Sequence, residues 1–151
     1  SILTDTARMP GVDGEKMSNS GNNIIRLREE PEDVEKKVRT MQTDPARIRL
    51  SDPGEPERCP VWELHLLYSD EEAQQQVQNQ CRNAGWGCLE CKQPVAEAII
   101  AEQAPIRERA AQYEENPELL QRILTEGAEQ ARDEVRATLK EVRAAMGLAG
   151  I

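Results

Sequence analysis

The last third of the chain shows the clearest hydrophobic pattern. Apolar residues between Leu120 and Met146 recur every three or four positions, the spacing of one face of an α-helix. Asn116 is suited to cap the start of this helix with Pro117 at its first position, and Gly147 is suited to end it. The pattern therefore predicts a long amphipathic helix with a buried stripe.

A second long helix is predicted just before it. Its apolar face begins near Pro94, which can open a helix, and continues to about Tyr113. Pro105 interrupts this segment and should kink it. We expect the two long helices to run antiparallel and to pack through their Ala-rich faces as the scaffold of the domain.

Shorter apolar stripes predict smaller elements upstream. Pro31 can open a helix whose buried face is Val34, Val38 and Met41. Ser69 is suited to cap another helix that runs to about Cys81. The predicted order is a loop region over 1–28, a helix over 31–42, an irregular connector over 43–58, a short helix over 59–68, the helix capped by Ser69, and a tight glycine-containing loop over 82–91.

Composition supports a mainly α fold. Aromatic residues make up 3% of the 151 residues, and β-branched residues are scarce, which disfavours a sandwich or barrel. No apolar run approaches the roughly 20 residues of a membrane span, and no signal segment follows the first residues, so we expect a cytoplasmic protein without membrane contact. The formal net charge of −9 excludes a broad basic surface, so any contact with nucleic acid must be local.

Four cysteines lie within one span of 33 residues, in a C-x21-C-x6-C-x2-C pattern. They are Cys59, Cys81, Cys88 and Cys91. Four thiolates suit either tetrahedral zinc or a [4Fe–4S] cluster, and the final C-x2-C pair can reach one metal from a tight turn. Disulfides or free thiols are the alternative, and nothing marks the chain as secreted. The pattern predicts a metal or cluster site but does not choose between iron and zinc.

A flexible loop led by Gly14 contains Lys16, Met17, Ser18, Asn19 and Ser20. One ammonium, two hydroxyls and free backbone amides can surround a phosphate group. The P-loop frame is missing, and such a loop taken alone is usually just exposed to solvent.

Resemblance to a known family changes that interpretation. The segment from Arg8 to Asn23 is similar to the KMSKS signature region of class I aminoacyl-tRNA synthetases. Nearly the whole chain resembles the C-terminal half of bacterial tryptophanyl-tRNA synthetases. The further matching stretches are Thr43–Pro45, Gly87 with Lys92, Pro105–Arg109, Ile123–Arg132, and Val142–Leu148.

The resemblance implies a two-step ligase reaction. ATP with Mg²⁺ activates tryptophan as its adenylate, and the aminoacyl group then moves to tRNA(Trp). Lys16, Ser18 and Ser20 match the first lysine and the serines of the signature, with Lys16, Met17 and Ser18 expected at the ATP phosphates. Asn19 departs from the pattern, because the second lysine of the signature belongs there. A charge-assisted contact is worth ~1.5–3 kcal/mol, so either Lys16 or another cation compensates, or the enzyme is slow. A specialised paralogue is the further alternative.

The resemblance also implies an organisation. Residues 1–28 are the end of a nucleotide-binding α/β catalytic domain, and residues 29–151 are an all-α anticodon-binding domain with its cysteines at 59–91. Some family members hold a [4Fe–4S] cluster on a similar cysteine motif near the anticodon, which favours iron–sulfur over zinc here. Arg82, Lys92 and Trp86 are the tRNA-binding candidates beside the cysteines, while His65, in an apolar run, is expected to be structural.

Two hypotheses about function follow. In the first, the chain is part of a tryptophan–tRNA ligase that binds ATP and tryptophan through a missing N-terminal half and dimerises through it. We then expect this piece alone to be inactive. In the second, it is a freestanding acidic helical metal-binding or interaction module derived from a synthetase domain. The start of the chain inside a nucleotide-site loop favours the first.

Overall fold

The computed structural model describes residues 9–148, and this part of the chain is helical with no strand. The elements in chain order are α1 (Pro31–Thr40), a 3₁₀ turn (Pro56–Arg58), α2 (Pro60–Tyr68), α3 (Glu71–Arg82), α4 (Cys88–Glu114) and α5 (Pro117–Ala145). The mainly α prediction is confirmed. Arg8 and the start of the predicted 1–28 segment lie outside the described residues.

The chain divides into two compact units, Ser1–Arg107 and Glu108–Ile151. The hydrophobic core lies in the first unit and is built from α1 with its C-cap Met41, α2 and α4. Its buried members are Val34, Val38, Met41, Val61, Leu64, Val95, Ala96 and Ile99. The predicted apolar face of the first helix is therefore confirmed as core.

Two predicted helix starts are wrong. Asp70, not Ser69, caps α3, with its carboxylate accepting from the Ala73 amide at 2.8 Å. Ser69 instead ends α2 and turns its hydroxyl to His65. Helix α4 begins at Cys88 rather than at Pro94, which lies inside it. Pro94 is exposed, and the burial of Val95 and its neighbours keeps the helix continuous despite the missing amide.

Helix α5 has the predicted ends but not the predicted burial. The Asn116 side chain caps it at the Leu119 amide, and Gly147 follows it with a φ of +71°. None of its residues is buried, so the apolar stripe expected to pack is exposed. Among residues 9–148, no helix combines the length and apolar character needed to cross a membrane.

Candidate phosphate loop and cysteine pocket

Residues 9–23 fold into a closed loop around one buried asparagine. Pro10 and Lys16 form an antiparallel bridge, and the Met17 amide donates to the Met9 carbonyl at 2.9 Å. Gly14 makes the turn with a φ of +82°, a conformation that favours glycine. The loop thus presents Lys16 from a fixed backbone.

Asn23 holds this loop together. Its amide nitrogen donates to the Asp13 carboxylate at 2.9 Å and to the Lys16 carbonyl at 3.1 Å, and its side-chain oxygen accepts from the Ser18 amide at 3.1 Å. The hydrogen bond from Asn23 holds the pKa of Asp13 below its usual value. A side chain at Gly11 would meet Asn23 at 2.5 Å, so glycine is required there. In the sequence, Asn23 was only the last residue of the segment similar to the synthetase signature, and the Gly-Asn-Asn run was the available signal for its role.

A cavity of about 830 Å³ opens beside the loop. Four of the predicted residues line it together: Lys16, Met17, Ser18 and Asn19. Ser20 is not among the lining residues. Among the described residues, the remaining wall is Met9 and the segment 24–28, which adds Arg26 and Arg28 and no carboxylate. The volume suits a small-molecule ligand, and the lining cations suit an anionic one.

The four cysteines line a single pocket from three helices. Cys59 precedes α2, Cys81 lies in the last turn of α3, and Cys88 and Cys91 lie in the first turn of α4. All four are free thiols and half-buried. The donor set therefore has the number and type of ligands of a [4Fe–4S] cluster or a tetrahedral zinc.

Side chains that line the same pocket are not necessarily placed to ligate one ion. Within residues 9–148, no group of three or more His, Cys, Asp or Glu side chains is arranged to hold a single metal ion. The structure brings the predicted cysteines together but does not itself support a metal centre, iron–sulfur or zinc.

Arg47 is the cation of the cysteine pocket, and sequence analysis missed it. Its guanidinium donates to the Trp86 carbonyl at 2.7 Å and to the Leu50 carbonyl at 3.0 Å, and Nη1 lies 3.9 Å from Cys88 Sγ. Burial raises the pKa of Cys91 to about 12, and the other cysteines add to this effect while Arg47 opposes it. The metal-free thiol is therefore protonated near neutral pH.

His65 fixes the helix that carries Cys91. It is almost fully buried, with Nε2 3.0 Å from the Cys91 carbonyl and Nδ1 2.8 Å from the Ser69 hydroxyl. Because a carbonyl only accepts, Nε2 carries the proton, and the Ser69 hydroxyl donates to Nδ1. Burial lowers the pKa of His65. These contacts agree with the expected structural role.

The three tRNA-binding candidates have different surroundings. Arg82 is exposed and paired with Glu57. Trp86 is half-buried and lines the cysteine pocket. Lys92 is buried, and its ammonium donates to the carbonyls of Arg39 and Met41 at the end of α1. Its two hydrogen bonds point to a structural role rather than to a solvent-facing contact.

Comparison with known proteins places these features in a family. The profile of the tRNA synthetases class I (W and Y) matches residues 1–102. The tryptophan–tRNA ligase of Ralstonia nicotianae is 55% identical over 97% of this chain, and that of Aquifex aeolicus is 41% identical over 97%. The tryptophanyl-tRNA synthetase of Campylobacter jejuni, solved in complex with ADP and tryptophan, superposes with a TM-score of 0.80 at 28% identity and covers 95% of this chain.

The match covers only part of each relative. The chain spans 37% of the Ralstonia protein, 38% of the Aquifex protein and 44% of the Campylobacter chain.

Proposed function

The chain belongs to the class I tRNA synthetases of the tryptophan and tyrosine group, and on that premise we propose that it is part of a tryptophan–tRNA ligase. The observation that carries the proposal is the 55% identity to such a ligase over 97% of the chain. The complete protein would use ATP with Mg²⁺ to activate tryptophan, and would then transfer it to tRNA(Trp). By the same analogy it would act as a homodimer in the cytoplasm.

The loop at 16–20 would contact the triphosphate. The support is the cavity beside it, which Lys16 and Ser18 line together with two arginines and, among residues 9–148, no acid. A cation there stabilises the charge that develops as pyrophosphate leaves, and this effect lowers the barrier if it is stronger in the transition state.

Tryptophan-dependent exchange of pyrophosphate into ATP by the full-length protein tests this activity. We expect exchange with tryptophan and not with tyrosine. Lys16→Ala should lower the exchange rate by roughly tenfold to a hundredfold, the cost of one charge-assisted contact. Lys36→Ala, an exposed lysine on α1, is the matched control and should not change the rate. Absence of exchange in the wild type would favour the freestanding module instead.

We propose that the four cysteines hold a [4Fe–4S] cluster, with zinc as the competing outcome. Their meeting at one pocket, with Arg47 as a counter-cation, supports a site that gathers thiolate charge. When bound, such a cluster would supply a covalent link between the ends of three helices.

Anaerobic purification followed by iron, zinc and acid-labile sulfide assays tests the cluster. Iron and sulfide together, lost in Cys88→Ser and retained in the exposed control Asn83→Ala, support it. Zinc alone, or none of the three, contradicts it.

We further propose that residues 29–151 bind the anticodon, with Arg82 and Trp86 as contacts. Specific recognition of tRNA loops depends on stacking and a few directed contacts, so the acidic chain is compatible with it. Arg82→Ala should raise the KM for tRNA in charging and leave pyrophosphate exchange unchanged. An equal loss in both reactions would count against a role at the anticodon. Arg136→Ala, an exposed arginine on α5, is the control.

A further inference from the structure

The phosphate loop lacks one cation of its signature. Asn19 occupies the position of the second lysine, and an asparagine amide donates hydrogen bonds but carries no charge. Asn19 nevertheless lines the cavity beside Lys16. If the site binds a triphosphate as strongly as a signature with two lysines, a neighbouring cation has to supply the missing charge.

Arg26 lines the same cavity from the segment that follows the loop. Its backbone is fixed at both ends of a turn, because its amide donates to Glu29 Oε2 at 3.0 Å and its carbonyl accepts from the Glu29 amide at 3.1 Å. The Arg26 side chain is exposed. The turn therefore anchors the arginine at the cavity without burying its guanidinium.

The carboxylate that accepts from the Arg26 amide is already paired with a different cation. Glu29 is buried and forms an ion pair with Lys37, whose ammonium also donates to the Ile24 carbonyl at 2.7 Å. Burial opposes ionisation of Glu29, but the hydrogen bonds from the Lys37 ammonium and the Arg26 amide, together with the charges of Lys37 and Arg26, outweigh it and hold the pKa of Glu29 below its usual value. Glu29 is thus paired with Lys37, whereas the Arg26 guanidinium acts on it through charge alone and stays exposed at the cavity.

We propose that Arg26 contacts the ATP phosphates and supplies the positive charge that Asn19 lacks. A guanidinium is always charged, and its planar fork matches two phosphate oxygens at once. Arg28 lines the cavity too, but it already interacts with another group. This inference rests on the proposed ligase function for its role in catalysis, but not for its role in phosphate binding.

Moving the positive charge from position 26 to position 19 of the full-length protein tests the proposal. Arg26→Ala should lower tryptophan-dependent pyrophosphate exchange by roughly tenfold or more. Asn19→Lys should restore the Arg26→Ala variant to within about threefold of the wild type, because the lysine returns the lost charge. Arg26→Lys should lie between the wild type and Arg26→Ala, because it keeps the charge but not the fork. Arg136→Ala is the control for a general loss of charge.

Titration with inorganic pyrophosphate separates this inference from the proposed function. Arg26→Ala should weaken pyrophosphate binding by roughly tenfold, with little change in melting temperature, because the hydrogen bonds between Arg26 and Glu29 are made by the Arg26 backbone and its charge is the smallest of the influences on Glu29. If the wild type catalyses no exchange, the ligase proposal fails, and the titration still decides the role of Arg26. Unchanged binding in Arg26→Ala, a larger loss in Arg28→Ala, or no rescue by Asn19→Lys would overturn the inference.

Discussion

At the scale of single residues, Asp44 organises the connector between α1 and α2. It is buried and accepts hydrogen bonds from the Ala46 and Glu55 amides, each at 3.0 Å, and from Arg58 at 3.2 Å. Burial would raise the pKa of Asp44, but these donors outweigh it and hold the pKa below its usual value of 3.8. One carboxylate therefore fixes the connector. From the sequence alone, its three prolines predicted only an irregular segment.

Asp44→Asn should lower the free energy of unfolding by about 2 kcal/mol at pH 7, because a charged acceptor of three hydrogen bonds becomes neutral. As pH falls below 3.8, the Asp44 carboxylate is protonated in the unfolded state before it is protonated in the folded state. The stabilisation by Asp44 therefore declines, and it is lost as pH falls through the lowered pKa of the folded state. Urea unfolding at several pH values should show the difference between wild type and variant narrowing below about pH 4. Asp133→Asn, at an exposed position on α5, should show no comparable difference. A pH-independent gap would contradict the explanation.

Lys92 shows what a single sequence cannot reveal about a charged side chain. Its position beside the predicted cysteine loop suggested an exposed cation for tRNA. In the structure, the end of α1 lies over it, so the ammonium donates to the Met41 carbonyl at 2.6 Å and the Arg39 carbonyl at 2.9 Å. His65 was easier to interpret, because its neighbours in the sequence are leucines.

Lys92→Met should destabilise the fold by about 1–3 kcal/mol, because it leaves two carbonyls at the C terminus of α1 without their donor. Chemical denaturation of the variant measures this change, with Lys36→Met on the exposed face of α1 as the control. A variant of unchanged stability with weakened tRNA binding would instead support the original tRNA-contact hypothesis.

At the scale of elements, the start of α4 depends on a cap that the sequence contains. The Gly87 amide, just before the helix, donates to Glu90 Oε2 at 2.7 Å, and the Gly87 carbonyl accepts from the Cys91 amide at 3.0 Å. This is half of a capping box. Sequence analysis favoured Pro94 because proline at a first helical position is a stronger single-residue signal. Helix interiors were predictable from periodicity, but their ends required the competing caps to be compared.

Glu90→Ala should cost about 1 kcal/mol of stability, because it removes the acceptor for the Gly87 amide and loosens the turn that carries Cys88. Glu90→Gln keeps an acceptor and should cost less. Thermal unfolding of both variants beside Glu108→Ala, an exposed glutamate in the body of α4, measures the cap separately from helix propensity. Equal effects of the alanine variants at 90 and 108 would show that the cap contributes nothing.

At the scale of the whole molecule, burial divides the chain. The core residues belong to α1, α2 and α4, whereas α5 buries none of its 29 residues. A helix without a packed face is held mainly by its own propensity and caps, and it opens locally at little cost.

Hydrogen exchange of this 151-residue chain should therefore show weak protection across α5 and strong protection at Val34, Val38 and Ile99. The ends of α5 could be predicted because its caps and the spacing of its apolar residues depend only on neighbouring sequence. The surface that an apolar stripe packs against lies elsewhere, so the stripe alone does not predict it. Protection across α5 equal to that of α1 would mean that the stripe is covered in solution, and a dependence of that protection on protein concentration would identify a second copy as the cover.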